Sequence, residues 1–198
     1  TVSKFLKLSS IPRSWDTAIL GLLAMVLILA STTTEGFLTS LNISYIFSNT
    51  SEITIMAFAM TFLIITGEID LSIASILALG SSMLGWSYQK GAPIWLAIII
   101  CLVVGTVCGF INGFLVTKVG LGSLAVTIGT LALYRGIANG ILGENTVNEF
   151  PEAYTSFGFD TFGTSFMPKT MPLIIFFGLL FGFLLHRTPF GRRTLAIG

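Results

Sequence analysis

Two carboxylates stand between long apolar stretches in residues 66–72, which read TGEIDLS. An ionisable side chain near membrane depth costs on the order of 3 kcal/mol, so Glu68 and Asp70 need a transport pathway, a charged partner or a helix end to explain them. Asp70 suits two roles equally, a pathway group and an N-cap that accepts backbone N–H groups of the next helix. The roles are compatible, because broken helices in transporters place their ends at substrate sites. Glu68 faces water or pairs with a basic residue of a partner subunit.

Neutral hydrogen-bonding side chains follow within later apolar stretches. For Asn112, Thr127 and Thr130, bonding between helices is expected ahead of contact with a solute. Arg135 either extends toward the membrane surface or reaches the bundle interior to bond a polar ligand or an acid. The candidate signature and pathway residues are therefore Gly67, Glu68, Asp70, Ser72, Asn112, Thr127, Thr130 and Arg135.

Other chemistry finds little support in the chain. One histidine, His186, and two cysteines predict neither a metal site nor a bound cofactor. No Gly-rich phosphate loop ending in Gly-Lys-Ser/Thr is present, so the chain is not expected to hydrolyse ATP or to be an enzyme. A net charge of +1 does not indicate nucleic-acid binding.

The elements that must position these residues are hydrophobic helices. Charged residues make up 10% of the chain, hydrophobic residues 54%, and the mean hydropathy is +0.92, which indicates an integral membrane protein. We predict an all-α, polytopic transmembrane bundle of about six spans, each near the 20 residues that cross a bilayer. The predicted spans are 15–33, 43–65, 71–88, 94–116, 121–142 and 171–186. The first could be a signal peptide, but five spans follow, so an uncleaved span is simpler.

Lys and Arg positions predict a cytoplasmic N-terminus, since cytoplasmic loops are enriched in these residues. The predicted single transmembrane domain, 1–198, then has residues 143–170 as an external loop. The 66–72 break falls at the cytoplasmic end with two acids and no base, so we expect it to dip into the protein. The expected cytoplasmic bases are Lys4, Lys7, Arg13, Lys118, Arg187, Arg192 and Arg193, and the expected external ones are Lys90 and Lys169.

Small residues at helical spacing predict close helix packing in lipid. The glycines assigned to packing are Gly105, Gly109, Gly113, Gly129 and Gly136. Asn42 is a candidate N-cap for the second span.

Three classes of function remain open from the residues alone. They are a permease subunit driven by a separate ATPase, an ion-coupled secondary carrier using Glu68 or Asp70, and a membrane scaffold or enzyme subunit. A secondary carrier is expected to show inverted repeats, and no convincing duplication is visible, which lowers that class.

Four ordered segments resemble the permeases of bacterial ATP-binding-cassette sugar importers, the ribose, xylose, galactose, rhamnose and autoinducer-2 group. Residues 65–79, ITGEIDLSIASILAL, are similar to the GGIDLSVGS signature, with Glu68 where the second glycine is usual. Residues 112–119, NGFLVTKV, and 126–138, VTIGTLALYRGIA, resemble two further segments. Residues 190–198, FGRRTLAIG, resemble the start of the family's cytoplasmic loop.

The resemblance implies a multi-pass permease of the bacterial inner membrane, embedded in the lipid bilayer. It implies cytoplasmic ATP-binding subunits, a periplasmic sugar-binding protein and a second permease subunit as partners, with no nucleic acid. The solute would be a monosaccharide or a similar small polar molecule, which Asn112, Thr127 and Thr130 suit. Permeases of this group are longer, so the resemblance also implies that the chain is a fragment, incomplete at its C-terminus.

Overall fold

Helices account for nearly all regular structure in the part of the chain that the structure describes. The computed structural model describes residues 15–143, 145–163 and 167–198, and in these ranges the one pairing of extended backbone is an isolated bridge between Thr161 and Pro168. The prediction of an all-α fold is confirmed. The helices are α1 (Trp15–Thr33), α2 (Ser40–Ile65), α3 (Ile73–Gln89), α4 (Ile94–Thr117), α5 (Ser123–Leu142), α6 (Glu152–Phe159), α7 (Met171–Arg187) and α8 (Pro189–Ile197).

Each predicted span coincides with a helix to within three residues at either end. Four helices, α1, α2, α4 and α5, are long and apolar enough to cross a membrane, and α7 with α8 forms a fifth candidate that bends by 72°. With 17 residues, α3 rises about 25 Å, which is less than a typical hydrocarbon core of about 30 Å. Six spans therefore stay a prediction.

The α3 helix is the centre of the fold, since it packs along both α4 and α5. Its own small residues make this possible, because a Cβ atom on Gly80 would lie 3.0 Å from Cys101 Sγ of α4. At its far end, a Cβ on Gly85 would lie 3.1 Å from a methyl group of Val147. The α2 helix packs instead against α7 and α8, and every residue of α1 is exposed or half-buried.

The glycines assigned to packing lie elsewhere than at these contacts. Only Gly105 among them approaches a neighbouring helix of the described chain, with Ile76 Cγ2 3.8 Å from its Cβ position. At Gly109, Gly113, Gly129 and Gly136, no neighbouring atom of the described residues comes within 4 Å of that position. Within the described residues, the close approach between helices is at Gly80 instead. Packing of the four against another protein segment stays a prediction.

Contacts between segments group the loops at two ends of the bundle. At one end, the Ile69 N–H of the break donates to the Ser123 hydroxyl of α5, and the ring of Phe62 packs at a tilt against that of Phe190 of α8, with ring centroids 5.6 Å apart. At the other end, the ring of Tyr88 lies 5.3 Å from that of Phe150. Which end is cytoplasmic stays a prediction, and three of the expected cytoplasmic bases, Lys4, Lys7 and Arg13, lie outside the described residues.

The predicted external loop, 143–170, contains a short helix, α6, that the sequence analysis did not predict. Its C-terminal side is fastened by an ion pair between Lys169 Nζ and Asp160 Oδ2, 3.1 Å apart. The N-cap of α2 also differs from the prediction. Thr39 holds that position and its hydroxyl accepts the Asn42 N–H, while the Asn42 amide donates to the Phe37 carbonyl at 2.7 Å.

The end of α2 is closed by a glycine in the left-handed conformation. Gly67 has a φ of 77°, and its N–H donates to the Ile64 carbonyl while the Glu68 N–H donates to the Leu63 carbonyl. These two bonds are the Schellman arrangement that satisfies the last carbonyls of a helix. The positive φ that this arrangement requires therefore favours glycine at position 67.

Replacing Gly67 by alanine is expected to lower the free energy of unfolding by about 1 kcal/mol, because a Cβ is strained at positive φ. The measurement is unfolding of the purified protein in detergent by heat and by denaturing surfactant. Gly140→Ala is the matched control, since Gly140 is helical, has open space around it and should tolerate a methyl group. Equal stability of the two variants would contradict the cap assignment.

Candidate functional site

The 66–72 break passes from the surface into the protein within a few residues. Gly67, Glu68 and Ile69 are exposed, Asp70 is half-buried, and Ser72 is 0% exposed. Glu68 lies on the surface of the described chain, whereas Asp70 lies partly inside it, where the protein supplies its hydrogen bonds. The two acids of the sequence pattern therefore have different environments.

The Asp70 carboxylate closes a tight turn. Its Oδ1 accepts the Ser72 backbone N–H at 2.7 Å and the Ser72 hydroxyl at 2.6 Å. This is an Asx turn, in which a side-chain oxygen bonds the backbone two residues on. The expectation that Asp70 is the N-cap of the third span was wrong, because the turn places Ser72 at the N-cap and α3 begins at Ile73.

A buried polar chain runs from Asp70 across two helices. The Ser72 hydroxyl, besides donating to Asp70, accepts the Asn112 Nδ2–H of α4 at 2.7 Å. The Tyr134 hydroxyl of α5 lies 3.2 Å from both Asn112 Oδ1 and the Cys108 carbonyl oxygen, and can donate to either. Ser72, Asn112 and Tyr134 are all buried. We call Asp70, Ser72, Asn112 and Tyr134 the polar chain.

The polar chain fixes the break to the α4–α5 pair. Each neutral hydrogen bond contributes about 1 kcal/mol net, and the two bonds to the Asp70 carboxylate contribute more because one partner is charged. Breaking one link leaves a buried polar atom without its partner, which costs about 1–3 kcal/mol. The polar chain therefore stabilises the fold most when all of its hydrogen bonds are formed.

The two threonines of α5 bond mainly within their own helix. The Thr127 hydroxyl lies 2.8 Å from the Ser123 carbonyl and 3.3 Å from the Ile69 carbonyl of the break. The Thr130 hydroxyl has the Thr127 carbonyl at 3.5 Å, which is a long contact. Ile69 also donates its N–H to the Ser123 hydroxyl at 3.4 Å. Thr127 thus borders the break, while Thr130 lies one turn further along α5.

The structure brings part of the predicted set together. Asp70, Ser72 and Asn112 form direct bonds, and Thr127 lies beside the break. The charged candidates Glu68 and Arg135 are exposed. Within the described ranges, no three of the His, Cys, Asp and Glu residues are grouped so that they could hold a metal ion.

Tyr134 is the member of the polar chain that sequence reasoning missed. The one sequence signal for it is its position directly before Arg135, in the segment 126–138 that resembles the family. Cys108 and Asn112 are four residues apart, so they share a face of α4 that one tyrosine hydroxyl can reach. Spacing could indicate that shared face, but only the packing of α5 on it shows the bond.

These observations describe a polytopic helical membrane protein in which buried polar side chains hold the break between two helices. The family model for the permease component of branched-chain amino acid transport systems matches residues 42–198. The chain belongs to that family. No solved structure matches it significantly.

Several similar proteins are named permeases of one kind of import system. The autoinducer 2 import system permease protein LsrD of Klebsiella pneumoniae is 34% identical over 194 residues, and that of Salmonella typhimurium is 35% identical over 196. The Yersinia pestis protein of the same name is 35% identical over 196 residues. Each comparison covers 93% of this chain. The chain spans 56–57% of the length of these relatives.

Replacing Tyr134 by phenylalanine is expected to lower the free energy of unfolding by about 1–2 kcal/mol, because Asn112 Oδ1 loses a buried donor. Thermal melting in detergent measures the effect. Tyr45→Phe is the control, since Tyr45 is 46% exposed on α2 and its hydroxyl should matter by less than about 0.5 kcal/mol. If the two variants melt together, the Tyr134 hydroxyl does not stabilise the bundle.

Proposed function

We propose that the chain is part of a transmembrane permease subunit of an ATP-binding-cassette importer in the bacterial inner membrane. The observation that carries the proposal is membership of a transport permease family together with about 35% identity to import-system permeases over most of this chain. The solute is a monosaccharide or a similar small polar molecule. The name of the relatives favours a solute of the autoinducer-2 kind.

The importer supplies its energy through other subunits. Cytoplasmic ATP-binding subunits provide the hydrolysis in this proposal, as the similarity to import-system permeases suggests. A periplasmic binding protein delivers the solute, and a second permease subunit completes the route. The small-residue faces of α4 and α5 that carry Gly109, Gly113, Gly129 and Gly136 are open in the described chain, as packing against such a subunit requires.

In this proposal the hydrogen bond between Ser72 and Asn112 forms in one arrangement of the helices and breaks in the other. Alternating access requires helices to change their packing between two arrangements. Here the break is tied to α4 through Ser72 and Asn112, whose side chains are bonded to each other. The amide and hydroxyl groups can face a neutral hydroxylated solute only when that bond opens. Breaking of the Ser72–Asn112 bond is thereby linked to exposure of the solute pathway.

Functional assembly is tested by reconstitution. The permease, its ATP-binding subunits and its binding protein are placed in liposomes, and ATP-dependent uptake of labelled solute is measured. The proposal expects uptake only with ATP and all partners present. Uptake by the permease alone, driven by a proton or sodium gradient, would overturn it and establish the ion-coupled carrier instead, which the half-buried Asp70 carboxylate favours.

Asp70→Asn is expected to reduce uptake several-fold, whereas Glu68→Gly leaves it near the level of the unmodified protein. The first substitution weakens two hydrogen bonds made to a charged acceptor, and the second removes an exposed carboxylate at a position where the resembling permeases usually have glycine. Uptake per molecule of membrane-inserted protein is the measurement. The reverse order of the two variants would contradict the assigned role of Asp70.

A further inference from the structure

The side chains of the polar chain can each exchange the roles of hydrogen-bond donor and acceptor. A hydroxyl group both donates and accepts, and an amide exchanges its oxygen and its NH2 group when it rotates by about 180°. At the far end of the polar chain, the Tyr134 hydroxyl lies 3.2 Å from the Cys108 carbonyl oxygen, which can only accept. At the near end, the Asp70 carboxyl group accepts when it is ionised and can donate when it is protonated. The charge of Asp70 therefore decides the direction of the bonds between the two ends.

With Asp70 ionised, all of these bonds point toward the break. The carboxylate accepts the Ser72 hydroxyl at 2.6 Å, a distance typical of a charged acceptor. Since the one hydroxyl proton of Ser72 is used in that bond, its oxygen accepts the Asn112 N–H at 2.7 Å. Asn112 Oδ1 then faces the Tyr134 hydroxyl at 3.2 Å. Tyr134 donates to it, and the same hydroxyl has the Cys108 carbonyl as a second acceptor at the same distance.

Hydrogen bonds alone stabilise the charge of Asp70 in the part of the chain that the structure describes. No basic side chain of those residues lies within 4.0 Å of its carboxylate oxygens. The other charged or titratable side chains on the segments that it adjoins are the exposed Glu68, Lys118 and Arg135 and the buried Cys108 and Tyr134. The direction of the polar chain is thus set by one group, with no fixed ion pair to hold it.

We propose that Asp70 is a proton-binding site and that its protonation reverses the polar chain. The carboxyl group takes up one proton from water and donates it to the Ser72 oxygen. The Ser72 hydroxyl turns to the Asn112 amide, which rotates so that its oxygen accepts from Ser72 and its NH2 group donates to the Tyr134 oxygen. Tyr134 then donates to the Cys108 carbonyl. One O–H bond forms, the charge at Asp70 is neutralised, and no helix has to move.

The position of Tyr134 makes this arrangement a switch and not a proton pathway. Its hydroxyl has two acceptors at 3.2 Å, so its single proton has a partner in both directions of the chain. The Cys108 carbonyl has no proton to pass on, so the polar chain binds a proton without conducting it. The inference goes beyond the proposed transport function and does not need it.

Infrared difference spectroscopy of the purified full chain tests the proposal. Spectra are recorded as the pH is lowered, with ring-labelled tyrosine to identify the tyrosine C–O stretch. We expect a carboxylic C=O band that D70N removes, and a shift in the band of one of the four tyrosines that Y134F removes. Both changes should share one midpoint, because a single proton causes them. A carboxyl band without the tyrosine shift, or no such band down to the pH of unfolding, would overturn the proposal.

Three variants separate reversal of the chain from a simple loss of charge. The amide that D70N introduces can donate to Ser72, so the Tyr134 band should lie at its low-pH position at every pH. S72A keeps the backbone N–H bond to Asp70 but cuts the chain, so the carboxyl group should titrate while the Tyr134 band stays in place. E68Q is the matched control, an exposed acid of the same break, and should change neither band. An unshifted band in D70N, or a Tyr134 response that survives in S72A, would contradict the reversal.

Discussion

The Ser72 hydroxyl, held between Asp70 and Asn112, is the interaction on which the break depends. This oxygen is fully buried, donates at 2.6 Å to a carboxylate and accepts at 2.7 Å from an amide. In a bilayer there is little water to replace either partner, so a chain that leaves its helix must find hydrogen bonds inside the protein. Ser72 meets that demand at the first residue before α3. The charge of Asp70 is stabilised at the same point, since its oxygen accepts from both the backbone and the side chain of Ser72.

The central position of α3 follows from the same constraint. A helix too short to span the hydrocarbon core is stable there when other helices cover it, and α3 is covered by α4 and α5. Gly80 lets α4 come close, and serines such as Ser75 and Ser87 bond carbonyls of α3 or its N-cap within one turn. This short helix with several serines is also the described helix with the most buried residues.

Sequence patterns predicted the helices well because bilayer thickness and hydropathy determine them locally. The helix bounds agree within three residues, and the turn at Gly67 lies inside the signature segment. The polar chain was harder to predict, since Asn112 and Tyr134 are far apart in sequence and meet only after α3 packs between α4 and α5. The same limit explains the glycines: spacing selects a helix face, but only the helix crossing decides whether that face is used inside the chain, as at Gly80, or left open, as at Gly129.

The two acids of the break differ in the structural role of their side chains. Glu68 follows the left-handed glycine that ends α2, and its backbone N–H serves the Schellman bond while its side chain is exposed. Any residue with a free N–H could supply that bond, so the position tolerates either glycine or glutamate. Asp70 supplies a side-chain acceptor to two groups of Ser72 at once, and no apolar residue can do that. The carboxylate of Asp70 is thus stabilised by hydrogen bonds inside the protein, whereas that of Glu68 lies on the surface of the described chain.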